Sequence, residues 1–462
     1  MLINRNLNQV EWRDFTRRVR TCRVHDLIHE LLLSKLEELN LIQSSQVSCN
    51  GTARYLWIDN GAGDLSRGNG NFETHAIIFS SLRVLPKSLF ENLSLNFKLL
   101  RELDLEGAPL ECLPEEIGNL LHLRYLSLRN SKIKILPKSI GKLHNLLTLD
   151  LKGSLVRELP DEIKGLCNLQ YLVAYTIDLD SRYNINTYQG VRINGSVVGS
   201  LESLEKLHYV IFQHQNSGGF GSALGRLKRL TKLGITKLEP DCGKALCDAI
   251  EKMHNLHSLR ISAVEEGEVL QLQSMSSPPL LLERLRLHGR LGKLPDWLPK
   301  LKNLVKIGLE WSKISDDSLK ILGGLPKLQE FRFHEAYDGV ELRYEQGQFL
   351  KLKMLQLACL YRLKKLVIEN GALPCLEILK LGPCPQLPEV PDNLPNLGCL
   401  KVLELVDMPK EFARKILPSE GSDYWKVKQI ADVRFHYYYG QGSHVETYKL
   451  GDSRLHQLLH PS

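Results

Sequence analysis

The stretch "HDLIH" at residues 25–29 comes nearest to spelling out chemistry in this 462-residue chain. Two His four residues apart share one face of a helix. That is how a metallohydrolase helix grips zinc, with a Glu between the ligands to activate water. Here Asp26 stands where the Glu would be, one methylene too short to hold a water well, and "ELLLSK" follows at once with no third ligand. The zinc-hydrolase reading fails on both counts. What remains is a helix start: Asp26 precedes the amphipathic run Leu27, Ile28, Leu31 and Leu32, and an Asp at an N-cap satisfies orphan amide donors.

Other chemistries are no better served. No Ser-His-Asp arrangement, Gly-x-Ser-x-Gly elbow or G-x-x-x-x-G-K-[ST] phosphate loop can be found. The one glycine-dense stretch, "NGAGDLSRGNGN" (60–71), lacks the Lys-Ser/Thr pair and reads as a linker. Ten Cys (22, 49, 112, 167, 242, 247, 359, 375, 384, 399) contain no C-x-x-C pair, so free thiols in a reducing compartment are expected. Cys112 and Cys375 fall where a buried small apolar residue would serve. Net charge is +7 without a dense Lys/Arg block, so nothing demands nucleic acid. Residues 1–20 hold no apolar signal core, and no apolar run approaches the roughly 20 residues of a membrane span. The expectation is a cytoplasmic, non-enzymatic protein with no membrane span.

The elements that position every candidate residue are repeats. "LRELDLEGAPLECLPEEIGNLLH" (100–122), "LRYLSLRNSKIKILPKSIGKLHN" (123–145) and "LLTLDLKGSLVRELPDEIKGLCN" (146–168) align at a period of 23 residues. Leu103, Leu126, Leu149 and Leu172 share one phase; so do Pro114, Pro137 and Pro160, and Ile117, Ile140 and Ile163. This is leucine-rich-repeat patterning. L-x-L has period two and predicts a short strand with its Leu turned inward, and the Leu-Pro-x-x-Ile half turns back behind it. No repeat buries its own Leu, so the repeats must stack.

The phase continues through expected strand centres at Val210, Leu233, Leu259, Leu285, Ile307, Phe331, Leu355, Leu379 and Leu403. "LKKLVIENG" (363–371) is a candidate further strand and "HAIIFSS" (75–81) the expected first one. His122 and His144 recur at repeat junctions and read as structural. The expected fold is thus an α/β leucine-rich-repeat solenoid, a curved horseshoe with a parallel β-sheet on its concave face.

"LPxxIGxLxxLxxLxL" is similar to two groups, the Ras-binding leucine-rich-repeat scaffolds and the plant nucleotide-binding leucine-rich-repeat immune receptors. "INRNLNQVEWRDFTRRVRTCRVHDLIHELLLSK" resembles the winged helix that ends the receptors' nucleotide-binding (NB-ARC) module, with Val24-His25-Asp26 in place of its Met-His-Asp motif. The run "LPCLEILKLGPCPQLPEVPDNLPNLGCLKVLELVDMPKEF" also resembles the coiled-coil class of these receptors. The resemblance implies that His25 would sense bound ADP with Asp26 supporting it. The phosphate loop, coiled coil and Mg²⁺-binding acidic motif of that family are missing, so the chain resembles an amino-terminally truncated receptor. It is expected to hold no cofactor by itself, with ADP or ATP entering only through an upstream nucleotide-binding domain.

The implied organisation is a short helical winged-helix remnant at 1–45, a linker at 46–74, repeats at 75–412 with an insertion loop at about 176–200, and a carboxy-terminal cap at 413–462. In the cap, Gly440-Gln441-Gly442 is a plausible hairpin turn. The resemblance implies a plant-defence recognition and autoinhibition module that binds an effector or guarded host protein. The alternative is a free-standing scaffold for a small GTPase or kinase.

Alternation assigns the outward side chains. Early repeats present Glu102, Asp104, Glu106, Tyr125, Ser127 and Arg129. Later ones turn basic, with Arg260, Arg284, Arg286, His288, Lys306, Arg332 and His334, and with Trp311 nearby. Arg and aromatic residues are enriched at binding hot spots, so this set is the candidate partner surface.

Overall fold

The computed structural model describes residues 8–13, 19–24, 42–44, 53–59, 73–80, 89–178, 187–212, 217–418, 420–439 and 444–460. They fall into two compact units, Met1–Ile177 with Tyr188–Thr236, and Asp178–Thr187 with Lys237–Ser462.

In the first unit the L-x-L segments form the expected parallel strands, including Glu102–Asp104, Tyr125–Ser127, Thr148–Asp150 and Tyr171–Val173. Leu103, Leu126, Leu149 and Leu172 stand in register and are fully buried. Behind them, each Leu-Pro half turns into a 3-10 helix, Glu115–Asn119, Lys138–Lys142 and Asp161–Gly165. Each is entered from an extended Pro and buries its Ile. These turns stack backbone on backbone, because a Cβ on Gly165 would lie 2.2 Å from the Gly141 carbonyl oxygen. The repeats are tied at their junctions: Asn145 Nδ2 donates to the Leu121 carbonyl and Asn168 Nδ2 to that of His144, each at 2.9 Å. His144 Nδ1–H donates to the Gly165 carbonyl at 2.8 Å, the structural role its position implied.

One strand centre is corrected. Leu207, not Val210, pairs with Leu172 and with Leu233. The register slips between Leu207 and Val210, where Tyr209 adopts φ +64°, a bulge that lets two apolar pairs of the segment face inward.

The sheet also begins earlier than expected. Tyr55–Asp59 lies within the stretch read as a linker, yet it pairs in parallel with Ala76–Ser80. Its Leu56 and Ile58 are buried while Tyr55 and Trp57 are exposed, a period-two pattern without the leucine signature. Ile42–Ser44 adds a further parallel strand, so 75–81 is not the first. The described part of the supposed helical remnant is β-structure, Asn8–Arg13 paired antiparallel with Val19–Val24. His25, Asp26 and the helix expected to follow them lie outside the described residues. Within 176–200, Thr187–Gly190 is a strand, and Val191, Ile193, Val197 and Val198 are buried in the repeat core. Arg192 forms a parallel bridge with Glu158.

In the second unit, parallel strands centred on Leu259, Leu285, Ile307, Phe331, Leu355, Leu379 and Leu403 follow the expected phase. Lys365–Ile368, the candidate extra strand, pairs with Glu341–Tyr344 in a separate two-stranded sheet. The tail contributes a repeat strand of its own, Asp432–Tyr439, with Val433 against Leu403. His444–Lys449 pairs antiparallel with it, Tyr439 opposite His444, and the expected Gly440-Gln441-Gly442 turn lies outside the described residues. The helix Ser453–Leu459, capped by Asp452, buries Leu455 and Leu459 and completes the cap.

Cys112, Cys167, Cys242, Cys247, Cys359, Cys375, Cys384 and Cys399 are free thiols. Cys112 and Cys375 are exposed rather than buried: Cys112 sits in a β-bridge with Ile135 and Cys375 on a turn, each next to the buried Leu113 or Leu376 that carries the core. Burial pushes the Cys359 and Cys384 thiols up to about 12, which keeps them protonated and inert. No helix of the described residues is long and apolar enough to cross a membrane.

Candidate functional site

Neighbouring strands of the second unit bring most of the candidate surface together. Arg284 stands in register with Lys306, Arg260 with Arg286, and His288 and His334 flank position 310. Arg332 stands in register with Gly308, on the next strand. Directly after its strand, Trp311 takes φ +55° and folds its ring between two imidazoles, 4.3 Å from His288 and 5.3 Å from His334.

The charge pattern differs from the sequence expectation. This face is not uniformly basic, because two acids missed from the sequence, Glu310 and Glu330, are buried among the cations. Glu310 accepts from His288 Nδ1 at 3.2 Å, with Arg260 and Arg286 nitrogens at 3.9 and 3.8 Å. Glu330 holds Lys306 Nζ at 2.7 Å and also pairs with Arg332. Both acids occupy outward slots of the same alternation that located the cations, so the signal was present in the sequence. Gly308 explains how Arg286 reaches its partner. A Cβ there would lie 2.9 Å from the Arg286 Cγ, so the bare glycine lets the Arg stem cross the strand.

Burial opposes ionisation of Glu310, but the His288 hydrogen bond and the two guanidinia prevail and hold its carboxyl at about 2. Glu330 is likewise held below the usual carboxylate range, with Arg332 and Lys306 outweighing its burial. Burial acts the other way on His334, which falls to about 4 despite the nearby Glu310 and stays neutral at pH 7. His288, Trp311 and His334 are therefore interior supports. The side chains that reach solvent are Arg332 at 41% exposure and Arg286 at 31%, against 11% for Arg260; Arg284 is half-buried. Each of these Arg presents a fork of up to five donors. Acids beneath Arg286 and Arg332 fix their stems, so little side-chain entropy is lost when a partner engages them.

The first unit's face is mixed, as expected. Arg129 Nε lies between Glu106 at 3.8 Å and Asp150 at 3.9 Å. Beside it stands a tyrosine cluster that sequence reading missed. Tyr188 stacks on Tyr209 at 4.3 Å, and Tyr175 meets Tyr209 edge-on at 4.7 Å. The Tyr209 bulge creates the cluster, and no spacing rule foretells it.

Residues 80–408 match a family described as leucine-rich repeat region. The disease resistance protein RPM1 of Arabidopsis thaliana is 35% identical over 454 residues, which cover 96% of this chain and 47% of that protein. The disease resistance protein RPP8 of the same plant is 28% identical over 463 residues, covering 94% of this chain and 48% of its own. This chain thus spans about half the length of these relatives. Among solved structures, a leucine-rich-repeat protein of Leptospira interrogans is 20% identical with a TM-score of 0.49, covering 87% of this chain and 98% of its own.

Proposed function

We propose, from the premise that this chain belongs to the leucine-rich-repeat family and has plant disease-resistance proteins as its homologues, that it is a protein-recognition and autoinhibition module of plant defence. The exposed sheet face would bind a pathogen effector or a guarded host protein, and in a longer receptor would also contact that receptor's nucleotide-binding module. The observation that carries this reading is the braced Arg286–Arg332 ridge, with Arg284 beside it and Glu310 and Glu330 beneath. Such a ridge suits an acidic or carbonyl-rich protein surface. The chain itself is read as non-enzymatic and cytoplasmic, with any ADP or ATP held elsewhere in the receptor and contacted by His25 and Asp26.

The test is photo-crosslinking in plant cells from position 356, in register with Arg332 but outside the charge network, and from exposed Leu281 as a control. Position 356 is expected to capture a discrete protein partner, and position 281 is not. Arg284→Glu with Arg332→Glu should weaken that partner at least about tenfold, since hot-spot residues cost more than about 1 kcal/mol each. Unchanged affinity would exclude the ridge as the binding surface. Capture of a small GTPase or kinase, with no dependence on a pathogen, would establish the scaffold role instead.

A further inference from the structure

The same four-residue His spacing that failed at residues 25–29 recurs at the other end of the chain, where a third ligand stands in place. His456 lies on the helix Ser453–Leu459 and His460 is its C-cap residue, so both rings project from one side and stack at 4.7 Å. Both Nε2 atoms converge on a single oxygen of Glu420, at 3.3 Å from His456 and 3.0 Å from His460. The three ligand atoms all lie within 4.8 Å of one another.

We infer that Glu420, His456 and His460 form a site for a divalent cation of the zinc class, joining the last helix to the segment that precedes the final repeat strand. The donor set of two imidazoles and a carboxylate is the one zinc takes. Tetrahedral zinc, with bonds of about 2.0–2.1 Å, needs donor atoms about 3.3 Å apart. The two edges to Glu420 are 3.3 and 3.0 Å, and the His–His edge lies within 4.8 Å. All three residues are exposed, so an ion enters without unfolding the cap and keeps a water in its fourth position. Without an ion, that oxygen accepts one hydrogen bond, from His460 Nε2–H at 3.0 Å, while His456 Nε2 stands 3.3 Å away. A cation would draw all three groups to a single centre. The consequence is structural: Arg414 already holds the Leu459 carbonyl at 2.9 Å, and Lys410 that of Leu458 at 3.1 Å, so the ion would be a third fastening on the same helix end.

Cobalt(II) added to the whole chain distinguishes this site from the thiols. Nitrogen–oxygen tetrahedral cobalt gives visible d–d absorption without the near-ultraviolet thiolate charge-transfer band. One equivalent should bind with that signature, be displaced by zinc, and raise the melting temperature. His456→Ala with His460→Ala should abolish the band and the thermal shift while leaving the metal-free melting point unchanged, because both rings are exposed. Glu420→Gln should weaken binding by at least about tenfold. A band that survives the double substitution, one carrying thiolate charge transfer, or binding only at millimolar metal overturns the inference.

Discussion

Replacing Glu310 by Gln removes one charge and almost no volume from the centre of the ridge. The carboxyl's pKa falls from 4.5 to about 2 on folding, so its surroundings stabilise the ionised form by about 3 kcal/mol at neutral pH. A second route gives the same size: breaking a buried ion pair by removing one partner costs about 3–5 kcal/mol, and Arg260 would be left with its charge largely buried. The sign follows from the depressed value. The stabilisation is fully present above pH 4.5 and is lost as pH falls through 2. Urea unfolding of the parent chain and the Gln variant, followed by circular dichroism, should therefore differ by about 3 kcal/mol at pH 7. By pH 3 that gap should have closed by about 2 kcal/mol, as the carboxyl of the parent's unfolded chain takes up a proton. A difference below about 1 kcal/mol at pH 7, or one independent of pH, would refute Glu310 as the ridge's charge anchor.

Two further outcomes are expected. His334 is held neutral at about 4 by burial, so its contribution is present above pH 6.5 and lost as pH falls through 4; the parent should lose about 2 kcal/mol more than His334→Gln between pH 7 and pH 5, read by the same urea titrations. Leu149→Ala should cost about 2–5 kcal/mol as a core cavity, since Leu149 is fully buried between the Leu126 and Leu172 strands, and an unchanged unfolding midpoint would contradict the assigned register.

The repeat strands were legible because burial on one sheet face writes itself as period two, and stacking writes itself as a fixed interval between Leu103, Leu126, Leu149 and Leu172. Where the chain departs from either rule, the sequence misleads. In "LHYVI" both Leu207 and Val210 are apolar, and only the backbone of Tyr209 decides which one faces Leu172. Tyr55–Asp59 buries one face as any repeat strand does, but it places aromatics outward and lacks the leucines that announce the others. At the candidate site the cations were found and their counter-ions were not, because residues chosen by charge sign hide the acids in the same rows. Glu420 could not have been linked to His456 and His460 at all, since 36 positions of chain separate it from the first of them.

The reversal at the carboxy-terminal end also bears on the order of folding. Every parallel pairing between neighbouring repeats closes a long loop, 23 residues for Leu149 with Leu172, before any contact rewards it. The pairing of Tyr439 with His444 closes a loop of a few residues, and it continues through Arg434 with Lys449. Hairpins of this kind form in about 1–10 μs, well before long-range parallel pairs assemble. The element that ends the array in space is thus suited to begin it in time, offering Asp432–Tyr439 as a ready-made edge on which Val402–Val406 and the strands before it can add.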